Sequence, residues 1–131
     1  MIEEIIKYED KNLARYVGNS IIKIAGYLQL NTEFLYNSDH VPASTLKCQE
    51  RLIANCQFYG AKDYINAIGG MELYDKEEFK KSGINLLFLK SNPVSYKQYN
   101  NTFVPNLSII DTLMFNSVEQ TNELLMQFEL L

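Results

Sequence analysis

"AKDYINAIGGMELYDKEEFKKSGINLLFLK", residues 61–90, decides the fold. "DYINA", residues 63–67, is short, partly β-branched and aromatic, and reads as a strand. Asp75 then caps a short helix, Glu78 three residues on completes a capping-box-like pair, and Gly83 stops the helix. "INLLFLK", residues 84–90, is apolar on both faces, as strands covered on both sides of a parallel sheet are. Strand, helix and strand in that order predict a parallel pair joined by a right-handed crossover.

The flanking segments extend this alternation. Between residues 10 and 28, Leu13, Tyr16, Val17, Ile21, Ile24, Ala25 and Leu28 recur at helical spacing. "TEFLY", residues 32–36, reads as a strand, followed by the turn-rich loop "NSDHVPAS". A second helix is expected over residues 45–59. Ser44 is its N-cap, Leu46, Leu52, Ile53 and Cys56 form its apolar stripe, and Gly60 is its C′ stop. After an irregular stretch, residues 91–106, "LSIIDTLMF" begins a helix with Ser108 as cap and Asp111 as first-turn acid. A last helix runs from residue 118 to about 128. The expected fold is α/β: one domain over residues 1–131, with a small three-stranded, mainly parallel sheet and flanking helices in the order α-β-α-β-α-β-α-α.

Length and composition narrow the function. A chain of 131 residues is one domain's worth of core. A net charge of −4, with no clustered Lys and Arg among aromatics, argues against a nucleic-acid surface. No apolar run is long enough to span a bilayer, and Glu3 and Glu4 in "MIEEIIKYEDKN" spoil a secretory signal; a cytoplasmic protein without membrane insertion is expected. Cys48 and Cys56, eight apart on one expected helix, are ~12 Å apart at 1.5 Å per residue, beyond disulfide reach. Both read as small buried apolar residues. With a single His, His40, and no CxxC or HxxxH, no metal site is expected.

A parallel sheet gathers its ligand loops at the carboxyl ends of its strands. Three loops would meet there: residues 37–40, 66–70 and 91–98. The Gly69-Gly70 pair permits close backbone approach to a ligand or positive φ, but it lacks the spacing of a phosphate or dinucleotide loop. A plain structural turn is the simpler reading. His40 is a general-base candidate or an ordinary surface side chain. Ser108 and Asp111 admit a nucleophile-and-acid reading, yet their i, i+3 spacing fits helix capping better. Tyr96, Gln98 and Tyr99 either stack on a sugar or base, or fold over the core. Glu50 and Arg51 read as a solvated face. No nucleophile, base and orienter assemble.

The combination "YINAIGGMELYDKEEFKKSGINLLFLK" followed by "YKQYNNTFVPNLSIIDTLMFNS" resembles the C-terminal half of the WbqC-like family. The matching positions are Tyr64, Gly69, Gly70, Tyr74, Phe79, Gly83, Ile84, Tyr96, Gln98, Phe103, Pro105, Ser108, Asp111 and Asn116. The first helix and "TEFLYNSDH" are similar to the family's middle portion. Members of the family are typically encoded among genes for bacterial surface polysaccharide and O-antigen, so the resemblance implies a role in lipopolysaccharide biosynthesis, as a transferase on activated sugars. The family's N-terminal half, with a Gln-Pro-x-x-x-Pro stretch and an Asp-rich strand end, has no counterpart here. The chain therefore looks like half of the usual protein, and a non-catalytic binding or assembly module is the alternative.

The expected ligand is a nucleotide-sugar or sugar, held by Asn66, Gly69, Gly70, Tyr96 and Gln98, with Ser108 and Asp111 orienting the loop before them. No catalytic residue, metal or cofactor is assigned. Because "INLLFLK" needs cover on both faces, a homodimer or association with the missing N-terminal half is expected. The tail residues Leu124, Leu125, Phe128 and Leu131 are available to extend such a contact.

Overall fold

Strands β1 (Asp63–Ala67) and β2 (Asn85–Ser91) lie side by side and parallel, in register from Asp63 opposite Asn85 to Ala67 opposite Leu89. The crossover between them carries a 3-10 turn, Ile68–Gly70, and helix α5 (Lys76–Lys81). A computed structural model describes residues 1–41, 45–99 and 102–131. The chain forms two compact units, Met1–Leu35 with Val94–Met126, and Tyr36–Pro93 with Gln127–Leu131.

The second unit holds the sheet. Helix α5 starts where Asp75 accepts a hydrogen bond from the Glu77 amide, 2.8 Å away. The reciprocal half of a capping box is absent, because the Asp75 amide donates to Gln49 Oε1 at 2.7 Å instead. Glu78 pairs with Lys81 at 2.6 Å, and this bond and charge raise the Lys81 pKa. Gly83, at φ +75°, ends α5 with its own amide bonded to the Lys80 carbonyl and the Ile84 amide to the Phe79 carbonyl. That is a Schellman stop, and its hydrophobic partners Phe79 and Ile84 both enter the core. Helix α4 (Cys48–Phe58) ends the same way at Gly60, φ +64°. It begins at Cys48 with Lys47 as N-cap, and Ser44 lies outside the described residues.

Phe79 is fully buried beneath the sheet with Cys56, Ile84, Leu86 and Phe88. Tyr64 stacks on the Phe79 ring at 5.7 Å between centroids, and Tyr74 meets it edge-on at 6.2 Å. Both thiols are free: Cys56 is buried, and desolvation pushes its pKa up, but Cys48 is exposed, which corrects the expectation that both are buried.

Three further expectations are overturned. Residues 32–35 form no strand; they are irregular and exposed, and residues 37–40 are a helical turn, α3 (Asn37–His40). The third strand is β3 (Phe128–Leu130), antiparallel to β2, with Leu89 opposite Leu130. The sheet is therefore mixed, in the order β1-β2-β3, with one parallel pair. The last helix, α7 (Val118–Leu125), correspondingly stops short of residue 128. The side of β2 away from β1 takes β3, and a strand-like composition at 32–36 becomes a strand only where an edge accepts it.

The first unit is helical. Helix α2 (Leu13–Tyr27) starts at Asn12, whose side chain accepts from the Arg15 amide at 3.2 Å. Helix α1 (Ile2–Ile6), which the pattern had not marked, packs beside it, joined by a Lys23–Glu4 ion pair at 3.1 Å. The hydrogen bond and charge of Lys23 hold the Glu4 carboxyl below its ordinary range. Helix α6 (Ile109–Phe115) leads into α7 through Ser117, which forms a capping box with Gln120. The Asn122 amide donates to the Leu28 carbonyl at 3.0 Å, tying α7 to the end of α2.

Candidate functional site

Asn66 lies in β1, and Gly69 and Gly70 follow that strand in the second unit. Asn66 Oδ1 accepts from the Ala67 amide at 2.8 Å, and the same side chain folds over Gly70. A Cβ on Gly70 would sit 2.6 Å from Asn66 Nδ2 and 3.3 Å from a Tyr74 ring carbon. The close approach that Gly70 permits is thus to its own chain. Gly69 is exposed, has open space around it, and neither glycine has positive φ. Gly70→Ala should therefore destabilise by about 1–2 kcal/mol, as overpacking displaces Asn66, whereas Gly69→Ala should be neutral or stabilising by up to ~0.5 kcal/mol. Urea melts of the two variants check this, and equal midpoints would remove the packing account.

The expected three-loop rim loses residues 37–40, which follow no strand, while residues 66–70 and 91–98 do begin at the carboxyl ends of the parallel β1 and β2. His40 is an exposed side chain at the end of α3.

Tyr96, Gln98 and Asp111 meet in the first unit. Gln98 is buried, at 8% exposure, in a segment with no regular structure. Its amide grips the backbone of Val104 from both sides. Nε2 donates to the Val104 carbonyl at 3.1 Å, and Oε1 accepts from the Val104 amide at 2.8 Å. Nε2 also donates to Asp111 Oδ2 at 2.8 Å. The same carboxylate oxygen accepts from the Tyr96 hydroxyl at 2.6 Å, and Thr112 Oγ1 lies 3.2 Å from that hydroxyl. The Tyr96 ring packs edge-on against Phe103 at 5.1 Å, and Tyr99 against Phe115 at 4.7 Å. The side-chain amide of Gln98 thus acts as a strand-like partner for Val104 and ties it to Asp111 on α6.

Ser108 caps α6, accepting from the Ile110 amide at 3.2 Å. With Asp111 occupied by Tyr96 and Gln98, the capping reading of this pair holds and the nucleophile-and-acid reading has no geometry behind it. No group of three His, Cys, Asp or Glu side chains among the described residues is placed to hold a metal ion. No helix among them is long and apolar enough to cross a membrane.

Beside this network lies a cleft of about 300 Å³. Ser95, Tyr96 and Lys97 line one part, and Asn116, Gln120 and Glu123 line the α6–α7 corner, with Phe115 and Leu124 as apolar wall. Asn116 Nδ2 is engaged with the Thr112 carbonyl at 2.8 Å and Gln120 Oε1 with the Ser117 amide at 2.9 Å. Each amide retains its other polar atom for a ligand. Lys97 and Glu123 form no ion pair among the described residues. Spacing in the sequence did not point to Gln120 or Glu123, which reach the cleft only because the Asn116–Ser117 corner turns α7 against the loop.

No curated protein and no solved structure matches the chain. The model of one family does, over residues 1–123, a span that takes in α1, the Tyr96–Gln98–Asp111 network and most of α7. By that match over nearly its whole length, the chain belongs to the WbqC-like protein family.

Proposed function

We propose that the chain acts in the cytoplasm in bacterial surface polysaccharide and O-antigen biosynthesis, as a sugar transferase or half of one, and that the cleft beside Tyr96 holds the sugar of a nucleotide-sugar. Membership of a family typically encoded among genes for bacterial surface polysaccharide and O-antigen motivates the pathway. The observation that carries the site is the buried Gln98 clamp. It ties Val104 to Asp111 beside a concave surface lined by Tyr96, Lys97, Asn116, Gln120 and Glu123. Sugars are bound by this mixture, an aromatic face for the apolar C–H surface and paired amides and charges for the hydroxyls. In this reading Tyr96 contacts the ligand, Gln98 and Asp111 position it, and Ser108 holds the helix that carries Asp111.

A non-catalytic binding module is favoured by one specific observation: Ser108 and Asp111 are both engaged in structural hydrogen bonds. Both readings share the cleft, so ligand binding is tested first. Titrating the chain with UDP-glucose, followed amide by amide, should shift residues 95–97, 116 and 120 together and saturate. Shifts that are absent, or scattered over α1 and α2, would discard the cleft. Release of UDP on adding acceptor would then select the transferase over the module.

A further inference from the structure

The second unit contains a cavity of about 650 Å³ at the amino ends of β1 and β2, the opposite end from the expected ligand rim. Three lysines line it. Lys76 and Lys80 stand four apart on α5, and Lys62 immediately precedes β1. None of the three forms an ion pair among the described residues, whereas Lys81, one position further on, pairs with Glu78 and Lys90 with Glu129. The Lys76 ammonium is held 5.5 Å from the centroid of the buried Phe88 ring. The chain is acidic, with 12 Lys and Arg against 16 Asp and Glu, so three unpaired cations around one concavity do not follow from a basic composition.

Two carboxylates, Asp63 and Glu77, share the lining, and the Asn85 side-chain amide donates to Asp63 Oδ1 at 3.1 Å. They make the cavity a poor host for a bare polyanion and supply acceptors for hydroxyl groups. Ile84, Leu86 and Leu87 add apolar wall. The volume lies within the range of small-molecule sites, roughly 300–1,000 Å³.

We propose that this cavity binds a phosphorylated, hydroxyl-bearing ligand, with Lys62, Lys76 and Lys80 on the phosphate and Asp63 and Glu77 on the hydroxyls. Lysines act on phosphate as point charges without a fixed fork, which suits side chains converging from two elements. This site shares no lining residue with the cleft beside Tyr96.

The test is an amide-resolved titration of the full chain with glucose 1-phosphate, glucose and inorganic phosphate. Glucose 1-phosphate should shift residues 62–63, 76–80 and 83–87 saturably. Glucose should leave them unmoved, and inorganic phosphate should bind them more weakly. The double variant Lys62→Gln, Lys80→Gln should lose about tenfold or more in affinity, the equivalent of one charge-assisted hydrogen bond. Lys81→Gln should retain wild-type affinity, and unchanged melting temperatures would show that all variants fold. The proposal is overturned if glucose 1-phosphate fails to shift these residues, or shifts only residues 95–97. It is equally overturned if glucose or inorganic phosphate binds as tightly, or if Lys81→Gln loses as much as the double variant.

Discussion

Phe79→Ala should lower the free energy of unfolding by about 3–5 kcal/mol, the range for deleting a buried aromatic side chain. Phe79 has no exposed surface, and its ring is held between the stacked Tyr64 and the edge of Tyr74. It also sits at the last turn of α5, where its carbonyl accepts the Ile84 amide and fixes the entry into β2. Removing the ring would open a cavity among Cys56, Ile84, Leu86 and Phe88, side chains held by the sheet and the Gly83 stop and therefore slow to collapse into it. Phe58→Ala is the matching control: that side chain is 54% exposed, so its loss should cost about 1 kcal/mol or less. Urea melts at one pH decide it. Equal losses for the two variants would mean that the α4–α5–sheet core is not the cooperative centre of its unit.

That core was legible because its signals are local. Asp75, Gly83 and Gly60 carry their information in conformation and capping chemistry, and "DYINA" and "INLLFLK" are bounded by those same residues. Where the reading failed, the deciding partner lay far away in sequence. "TEFLY" has a strand's composition but no strand's position. The tail has a helix's spacing through Met126 and no Gly or Pro to stop it, yet Phe88 exchanges amide and carbonyl bonds with Leu131, each at 3.0 Å, and draws the tail out as β3. The missing half of the capping box has the same origin, since the Asp75 amide is taken by Gln49, 26 residues earlier.

The candidate sites divide in the same way. Tyr96 and Gln98 stood out as an aromatic and an amide in an irregular stretch, and the resemblance singled them out. Their role came only with Val104 and Asp111 in place. The lysine-lined cavity was not read from the sequence: Lys76 and Lys80 stand four apart on a short helix, and nothing in the spacing brings Lys62 to them. A crossover does that: the Asn85 amide bonds to the Lys62 carbonyl at 2.7 Å and sets the two strand starts together.

Gln98→Ala should cost about 2–3 kcal/mol, more than an ordinary lost side-chain hydrogen bond, because it removes the partner of several polar groups at once. The Val104 amide and carbonyl lose a bidentate partner, and Asp111 Oδ2 loses one of its two donors in a part-buried site. Water can recover part of this, since Val104 itself is 51% exposed, which keeps the figure below the sum of the separate bonds. Gln98→Glu sharpens the test. A carboxylate there still accepts from the Val104 amide, but it can donate neither to the Val104 carbonyl nor to Asp111, and it sets two negative charges against each other. Its loss at neutral pH should equal or exceed that of Gln98→Ala. Lowering the pH should recover stability relative to wild type, because the folded form of that variant binds the extra proton more readily than the unfolded one. Hydrogen exchange at the Val104 amide reports on the clamp directly: both substitutions should accelerate it while leaving the Leu86 and Phe88 amides of β2 protected. Wild-type exchange at Val104 in Gln98→Ala would show that Gln98 does not protect the Val104 amide, and the cleft beside Tyr96 would lose the constraint argued for it.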